Sequence, residues 1–409
     1  MILRVIHLTH KAMKVLLINN FHYIKGGSEA VYFNMADMLE RNGHEVIFFS
    51  CSSTRNINRG QTKYFVKPNN EVNPVIGAFR YIYNGAAKRN LERLIVEHKP
   101  DIAHIHLFWG GLSSSILGVL KKHNIPVVHT SHDYRMICPA YTFRRSDGSI
   151  CEQCLSGNYT PCLTNRCSKG KFLHSALMTW EMYFRRLIKA VEKIDAFVFV
   201  SRFSYNQHLK ALPSLNEKKC IVAHNAVDIP TADYTPSDYY LYFGRLSPEK
   251  GIKTLIKAFT TLKDKQLKIV GEGPIEQELK DIITTDNIEM CGYQSGQTLR
   301  QTIAQSKAII VPSEWYENNP MTIIEASSMG VPAIGATIGG IPEIIKEGET
   351  GYLFKPQNAS ELIDAVKKIE SLTTEQYRQM RVNCRVFAAA TFDPQVLYKK
   401  IIELYNTLL

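Results

Sequence analysis

The chain has 409 residues, 45% of them hydrophobic and 21% charged, with a formal net charge of +11. That length suits two or three globular domains, each able to bury its own core. The longest apolar runs, such as 196–200 and 308–311, fall far short of the ~20 residues of a membrane span.

The first residues lack the continuous apolar core and small-residue cleavage site of a secretory leader, so the expected location is the cytoplasm. Met13 opens M-K-V-L-L-I-N, the pattern of a first strand, which makes residues 1–12 an extension or a misplaced start. Charge is unevenly spread: residues 1–228 carry a net +14 and residues 229–409 a net −3. Such a field concentrates anionic surfaces near one half of the protein. The cations are scattered and no nucleic-acid module accompanies them. A membrane surface bearing a lipid-linked partner fits the field better than nucleic acid does.

Short apolar, β-rich runs alternate with amphipathic stretches of helical length, the signature of a parallel α/β architecture. Strands are predicted over 14–19, 45–50, 101–106, 127–130, 196–200 and 221–223. A helix is predicted over 28–41, with Ser28 as N-cap and Gly43 closing it. After a polar, proline-containing stretch at 228–238 the pattern restarts, with strands over 239–243, 267–270, 288–290, 308–311 and 333–335. The expected fold is therefore two tandem doubly wound, Rossmann-like domains facing across a cleft. The expected boundaries are 1–228, 229–390 and a helical segment at 391–409 that crosses back to the first domain. Ligands of open parallel sheets bind beyond the carboxyl ends of the strands, which is where functional residues are sought.

Gly26-Gly27 stands between the first strand and the first helix. Paired glycines admit close backbone approach, and a helix N-terminus offers free N–H groups to a phosphate; a plain turn is the competing reading. In the second half, Gly244 ends a strand, and Arg245 and Lys250 follow in a loop closed by Gly251. Two cations beside a helix start make a diphosphate clamp, a planar fork plus a point charge. Further on, Glu317 precedes a helix and Glu325 lies within it. The N–H groups of Asn318, Asn319, Met321 and Thr322 crowd that helix start. Each carboxylate can accept two hydrogen bonds from the vicinal diol of a ribose or a hexose.

Five of the nine cysteines fall in one stretch, Cys138, Cys151, Cys154, Cys162 and Cys167. In a reducing compartment such a cluster reads as metal-binding before disulfide-bonded. Cys151, Cys154, Cys162 and Cys167 would be the ligands of a structural zinc, while free thiols, an iron–sulfur cluster or disulfides remain alternatives. The following segment, 171–193, is helical in pattern, aromatic on one side and basic near its end. It reads either as a helix packed on the sheet or as an interfacial helix receiving a lipid-linked acceptor.

Four motifs in this order, GRLSPEKG, VGEGP, PSEWYENNPMTIIEASSMGVPAIG and GGIPEIIKEGETGYLF, resemble family 4 of the retaining glycosyltransferases, with the GT-B fold. The resemblance covers essentially the whole chain and is most specific over 244–354. It implies that Arg245 and Lys250 hold the diphosphate of a nucleotide sugar, Glu325 the ribose hydroxyls and Glu317 the transferred sugar. The backbone of Asn318, Asn319, Pro320, Met321 and Thr322 would meet the phosphates and sugar hydroxyls. Gly244 and Gly271 would line the donor site, and Gly26-Gly27 would complete it from the other domain. His132 matches the family's active-site histidine or aspartate. Many members read Glu-Gly-Phe-Gly where this chain reads Glu317-Asn318-Asn319-Pro320, which leaves the sugar's identity open. No Asp-x-Asp pair is present to hold Mg²⁺, so catalysis is expected to need no metal cofactor. Rival readings are a nucleotide-sugar epimerase, a phosphorylase of the same fold, or a non-catalytic sugar-nucleotide-binding protein.

Overall fold

The computed structural model describes residues 11–168, 170–230 and 235–409. Most of the expected N-terminal extension, and residues 231–234 of the expected linker, lie outside the described residues. The first sheet comprises β1 (Lys14–Ile18), β2 (Glu45–Phe49), β3 (Ile102–Ile105), β4 (Val127–Ser131), β5 (Ala196–Phe199) and β6 (Lys219–Val222), in the order β2-β1-β3-β4-β5-β6. The second comprises β7 (Tyr239–Phe243), β8 (Gln266–Val270), β9 (Ile288–Gly292), β10 (Ala308–Val311), β11 (Ala333–Ala336) and β12 (Gly351–Phe354), in the order β12-β11-β10-β7-β8-β9. Every pairing in the second sheet is parallel.

These strands are near-continuous apolar runs because a parallel sheet is covered on both faces. All of β3, β4, β5, β7, β10 and β11 is buried. The side chains that cover the second sheet from the helices, such as Leu255, Phe259, Ile324, Leu362 and Val366, form one apolar core with it. Aspartates fix two strand starts: Asp101 accepts from the Lys14 amide at 2.7 Å and Asp195 from the Val127 amide at 2.9 Å.

The first helix runs Gly27–Arg41 with Gly26, not Ser28, at the N-cap; the Ser28 hydroxyl donates to Glu29 instead. Gly43 follows at φ 84°, the left-handed turn that ends the helix. The segment expected to be helical over 171–193 forms a helix only over Phe172–Leu187, and Lys189 turns left-handed at φ 52°. Strand β12 has no counterpart among the expected strands. It is a four-residue edge opened by a glycine at φ 154°, directly after the polar turn 346–350.

The chain divides into two compact units. One is built from the described residues up to Thr130 with Phe184–Phe197 and Ile402–Leu409; the other from Ser131–Tyr183 and Val198–Ile401. Within the first unit, the buried Tyr405 hydroxyl lies 2.6 Å from Nδ1 of His104 on β3, and His104 Nε2 lies 2.6 Å from the Thr130 hydroxyl. Among the described residues no helix is long and apolar enough to cross a membrane.

Candidate active site

In the order β9-β8-β7-β10-β11-β12 the winding of the second sheet reverses between β7 and β10. Such a switch point leaves a crevice outside the strands' carboxyl ends, where ligands of doubly wound folds bind. The residues singled out in the second half of the sequence leave from these two strands.

Beyond β7 the backbone must turn sharply. Gly244 has φ 145°, and a Cβ on Gly271 would lie 1.9 Å from the Gly244 carbonyl oxygen. The two glycines thus let the ends of β7 and β8 touch. Arg245 is exposed, and its guanidinium has no hydrogen bond or ion pair among the described residues, whereas its carbonyl accepts from the Tyr242 hydroxyl at 2.8 Å. A 3-10 turn, Pro248–Lys250, then leads into Gly251 at φ 68°. A Cβ there would sit 1.9 Å from the carbonyl oxygen of Pro312, so only glycine allows this turn to press against the end of β10.

That contact brings Lys250 to Glu317. One carboxylate oxygen, Oε1, accepts from Lys250 Nζ at 2.7 Å, from the Ser313 hydroxyl at 2.7 Å and from Trp315 Nε1 at 2.8 Å. Burial alone would raise the pKa of Glu317, but the Lys250 charge and these three donors outweigh it and hold it below the ordinary carboxylate value. Glu317 is therefore a fixed anion with one oxygen saturated; none of these three bonds goes to Oε2. The ammonium of Lys250 also lies 5.3 Å from the centre of the Trp315 ring. Two residues given separate roles by the sequence analysis are thus one ion pair.

The loop after Glu317 is fastened by its side chains. Asn318 donates to the Ser131 carbonyl at 3.2 Å and accepts from the Ser201 hydroxyl at 3.0 Å. Asn319 accepts the Asn225 amide at 2.8 Å, and its own carbonyl accepts from the Asn225 side chain at 3.1 Å. Beneath them, Gly340 donates to the Glu317 carbonyl at 2.7 Å, and a Cβ on Gly339 would lie 2.2 Å from that same oxygen. The two asparagines therefore act as braces for this loop. Pro320 is the N-cap of the helix Met321–Ser328. It offers no side-chain acceptor, so the first-turn amides of Met321 and Thr322 remain available to an anion.

Glu325 sits half-buried in that helix, with its carboxylate outside every hydrogen bond among the described residues. Burial, opposed only by the charge of Arg300, pushes its pKa up to about 7. An acid with a raised folded pKa favours folding below its unfolded value, near 4.5, and loses that advantage as pH rises towards 7. Glu325→Gln should therefore raise the stability of the ligand-free protein at pH 8, by about 3 kcal/mol at most, and change it little at pH 4. Chemical denaturation at the two pH values checks this; equal shifts at both would show that the carboxylate is not desolvated.

His132 follows directly on β4, next to the Ser131 carbonyl held by Asn318. Burial lowers its pKa to about 4, so it is a neutral imidazole at physiological pH. Gly26 and Gly27 belong to the other unit. There the buried Glu29, whose pKa burial raises and the Ser28 hydroxyl and the Glu29 and Gly26 amides lower, places its own carboxylate at the helix start.

The cysteine reading needs correction. All nine thiols are free, and among the described residues no group of three or more His, Cys, Asp or Glu side chains could hold a metal ion. A zinc on Cys151, Cys154, Cys162 and Cys167 is thus not supported. Burial pushes the Cys138 and Cys154 thiols up to about 11 and about 12, which keeps them protonated and inert. Local backbone bonds, Cys151 to Phe143 at 2.7 Å and Cys167 to Cys162 at 3.1 Å, shape the segment instead.

Ser313, Trp315, Ser201 and the Gly339-Gly340 pair are the residues that motif reading passes over. The first two and the glycines lie inside the quoted motifs, but only the folded chain shows that they converge on Glu317.

Solved structures with the same chain course define the class. A sucrose-phosphate synthase from Thermosynechococcus elongatus has a TM-score of 0.71 at 18% identity, covering 97% of this chain and 99% of that one. Anabaena HepE in complex with UDP-glucose has a TM-score of 0.62 at 18% identity, covering 97% of this chain and all of that one. Two Rossmann-like parallel sheets in this arrangement are the GT-B glycosyltransferase fold. Sequence models narrow it further, Glycosyltransferase Family 4 matching residues 25–230 and Glycosyl transferases group 1 matching 230–386. The chain belongs to glycosyltransferase family 4. The Arabidopsis thaliana sulfoquinovosyl transferase SQD2 is 28% identical over 285 residues, 68% of this chain, which spans about half (51%) of that protein's length.

Proposed function

We propose that this glycosyltransferase moves a hexose from a UDP- or GDP-sugar to a glycan or lipid-linked acceptor with retention of anomeric configuration. The observation that carries the reading is the Lys250–Glu317 pair beside the unpartnered Arg245 at the switch point of the second sheet. Arg245 and the amides of Met321 and Thr322 are cationic or donor groups for a diphosphate. Lys250 serves the phosphates while orienting Glu317. Glu317 Oε2 accepts from hydroxyls of the transferred sugar, and Glu325 accepts from the ribose diol. In the front-face substitution typical of the family, the bond from the anomeric carbon to the β-phosphate oxygen breaks. The acceptor hydroxyl oxygen bonds to the same face, and its proton passes to the departing phosphate oxygen. Charge developing on that leaving group is what Arg245 and the helix start stabilise. The neutral His132 offers a hydrogen bond to the donor sugar without competing for the phosphate's charge.

Two large cations and a helix start supply the neutralisation that Mg²⁺ provides elsewhere, so the reaction is proposed to be metal-independent. Transfer should persist at its full rate after EDTA treatment; loss restored by Mg²⁺ or Mn²⁺ would refute this. The basic first half and the family's usual roles favour assembly of a bacterial surface polysaccharide at the inner face of the membrane. A thermal-shift and donor-hydrolysis screen over nucleotide sugars tests the reading. One nucleotide sugar should stabilise the protein and be consumed with an acceptor. Release of nucleotide with no glycoside formed would point to an epimerase, and binding without turnover to a non-catalytic protein.

A further inference from the structure

The helix Phe172–Leu187 is reversed in polarity. Its protein-facing positions are Ser175, Thr179, Glu181, Met182 and Arg185, all buried. Its most solvent-exposed positions, with His174 and Arg186 as polar exceptions, are apolar: Leu173 is 79% exposed, Trp180 70% and Leu187 78%. Spaced at intervals of seven, and with the half-buried Leu177 and Phe184 between them, these residues fall on one helical stripe. An ordinary surface helix turns such a stripe inward. The helix Pro74–Ile82 does the same on a smaller scale, with Val75, Ile76 and Phe79 exposed. Within the first unit the Tyr83 ring meets Phe184 edge-on, with centroids 6.0 Å apart.

The charge carried by these two segments is mostly positive. Residues 72–90 contain no Asp or Glu, and Glu181, the acidic residue of 171–189, is buried. Lys88, Arg89, Lys171 and Arg186 are exposed within or next to these segments, while Lys189 is paired with Glu192 at 3.8 Å. Facing two such surfaces together would set like charges against each other, which disfavours a second copy as the occupant. Aromatic and aliphatic side chains flanked mainly by cations suit the boundary of a bilayer, where rings sit at headgroup depth and lysines and arginines reach the phosphates.

We propose that the exposed apolar faces of the Phe172–Leu187 and Pro74–Ile82 helices each dock on anionic lipid bilayers. The proposal deepens the reading of a membrane-face transferase by assigning the surface and the lipid charge, but it stands on exposure and charge rather than on the sugar site. Apolar insertion supplies the bulk of the affinity and the cations supply its dependence on lipid charge.

The test is flotation of the full chain with phosphatidylcholine vesicles, with and without phosphatidylglycerol, at low and high salt. Wild type should float with the anionic vesicles, bind neutral ones weakly and release partly in salt. Leu173→Glu combined with Trp180→Glu should weaken partition by about a hundredfold, and Phe79→Glu by about tenfold. Both variants should keep the wild-type thermal shift with the donor, because every substituted side chain is exposed. Failure of wild type to float, or flotation unaffected by these substitutions, would overturn the docking surface. If the donor shift persisted in that case, the transferase reading would stand without it. Conversion of a dimer to a monomer by the paired substitution, read by sedimentation velocity, would also overturn it and assign the surface to self-association.

Discussion

Lys250→Ala should cost both stability and turnover, because Lys250 is the cation that keeps Glu317 ionised in a buried position. Removing one partner of a buried ion pair leaves the other uncompensated; here the expected loss is about 3 kcal/mol. Transfer should fall about a hundredfold, the usual size of one lost charge-assisted contact at a transition state. The pH dependence provides a sign test. With Lys250 present, the folded pKa of Glu317 is depressed, so the pair's stabilisation is present above pH 4.5 and is lost as pH falls. With Lys250 gone, burial prevails and the folded pKa rises, so the variant should recover stability relative to wild type on acidification. Adding Glu317→Gln to Lys250→Ala should restore most of the stability at pH 8 and none of the turnover. Denaturation midpoints at pH 5 and pH 8, with initial rates, read all of this. A Lys250→Ala protein as stable as wild type at both values would show that the pair contributes nothing to folding.

Arg245→Ala should separate the two properties. Its guanidinium is exposed and engages no other side chain among the described residues, so folding stability should change by no more than about 0.5 kcal/mol. Transfer should fall about a hundredfold or more, and affinity for the nucleoside diphosphate about tenfold, while the nucleoside monophosphate binds nearly as before. Arg245→Lys should recover part of the loss, since a point charge replaces a planar fork. Calorimetry with the two nucleotides decides it; equal loss for both would move Arg245 away from the outer phosphate.

The fold was legible because parallel strands buried on both faces must be apolar runs. Val127–Ser131 and Ala308–Val311 stand out from the polar helices beside them. Strand β12 did not, since its four residues open on Gly351 directly after the polar turn 346–350. The ends of β7 and β10 agree with the strands expected over 239–243 and 308–311, with Gly244 closing the first. What could not be read was the convergence on Glu317. Ser313 and Trp315 are near it in sequence, but Lys250 arrives from 67 residues away through a glycine contact that carries no local pattern. The cysteines are a different case: the folded segment brings Cys154 near Cys138, Cys151 and Cys167, and Cys162 to Cys167, yet among the described residues no group of three or more is arranged to hold a metal ion. The exposed stripe of the Phe172 helix was visible as periodicity, but its facing was not, because a helical period does not say which side meets the protein.

The contact between Tyr405 and His104 has a bearing on how the protein is made. His104 lies in the middle of the first unit's sheet, yet one of its hydrogen-bond partners, Tyr405, is 301 residues further along the chain. At synthesis rates of about 5–20 residues per second, β3 leaves the ribosome on the order of tens of seconds before the helix that closes over it. During that interval the first sheet has an uncovered polar side chain and the apolar positions that Ile402 and Tyr405 later fill. The unit that holds the first strand thus closes only after residues 402–405 have been made, and a ribosome that has yet to translate them would display it open.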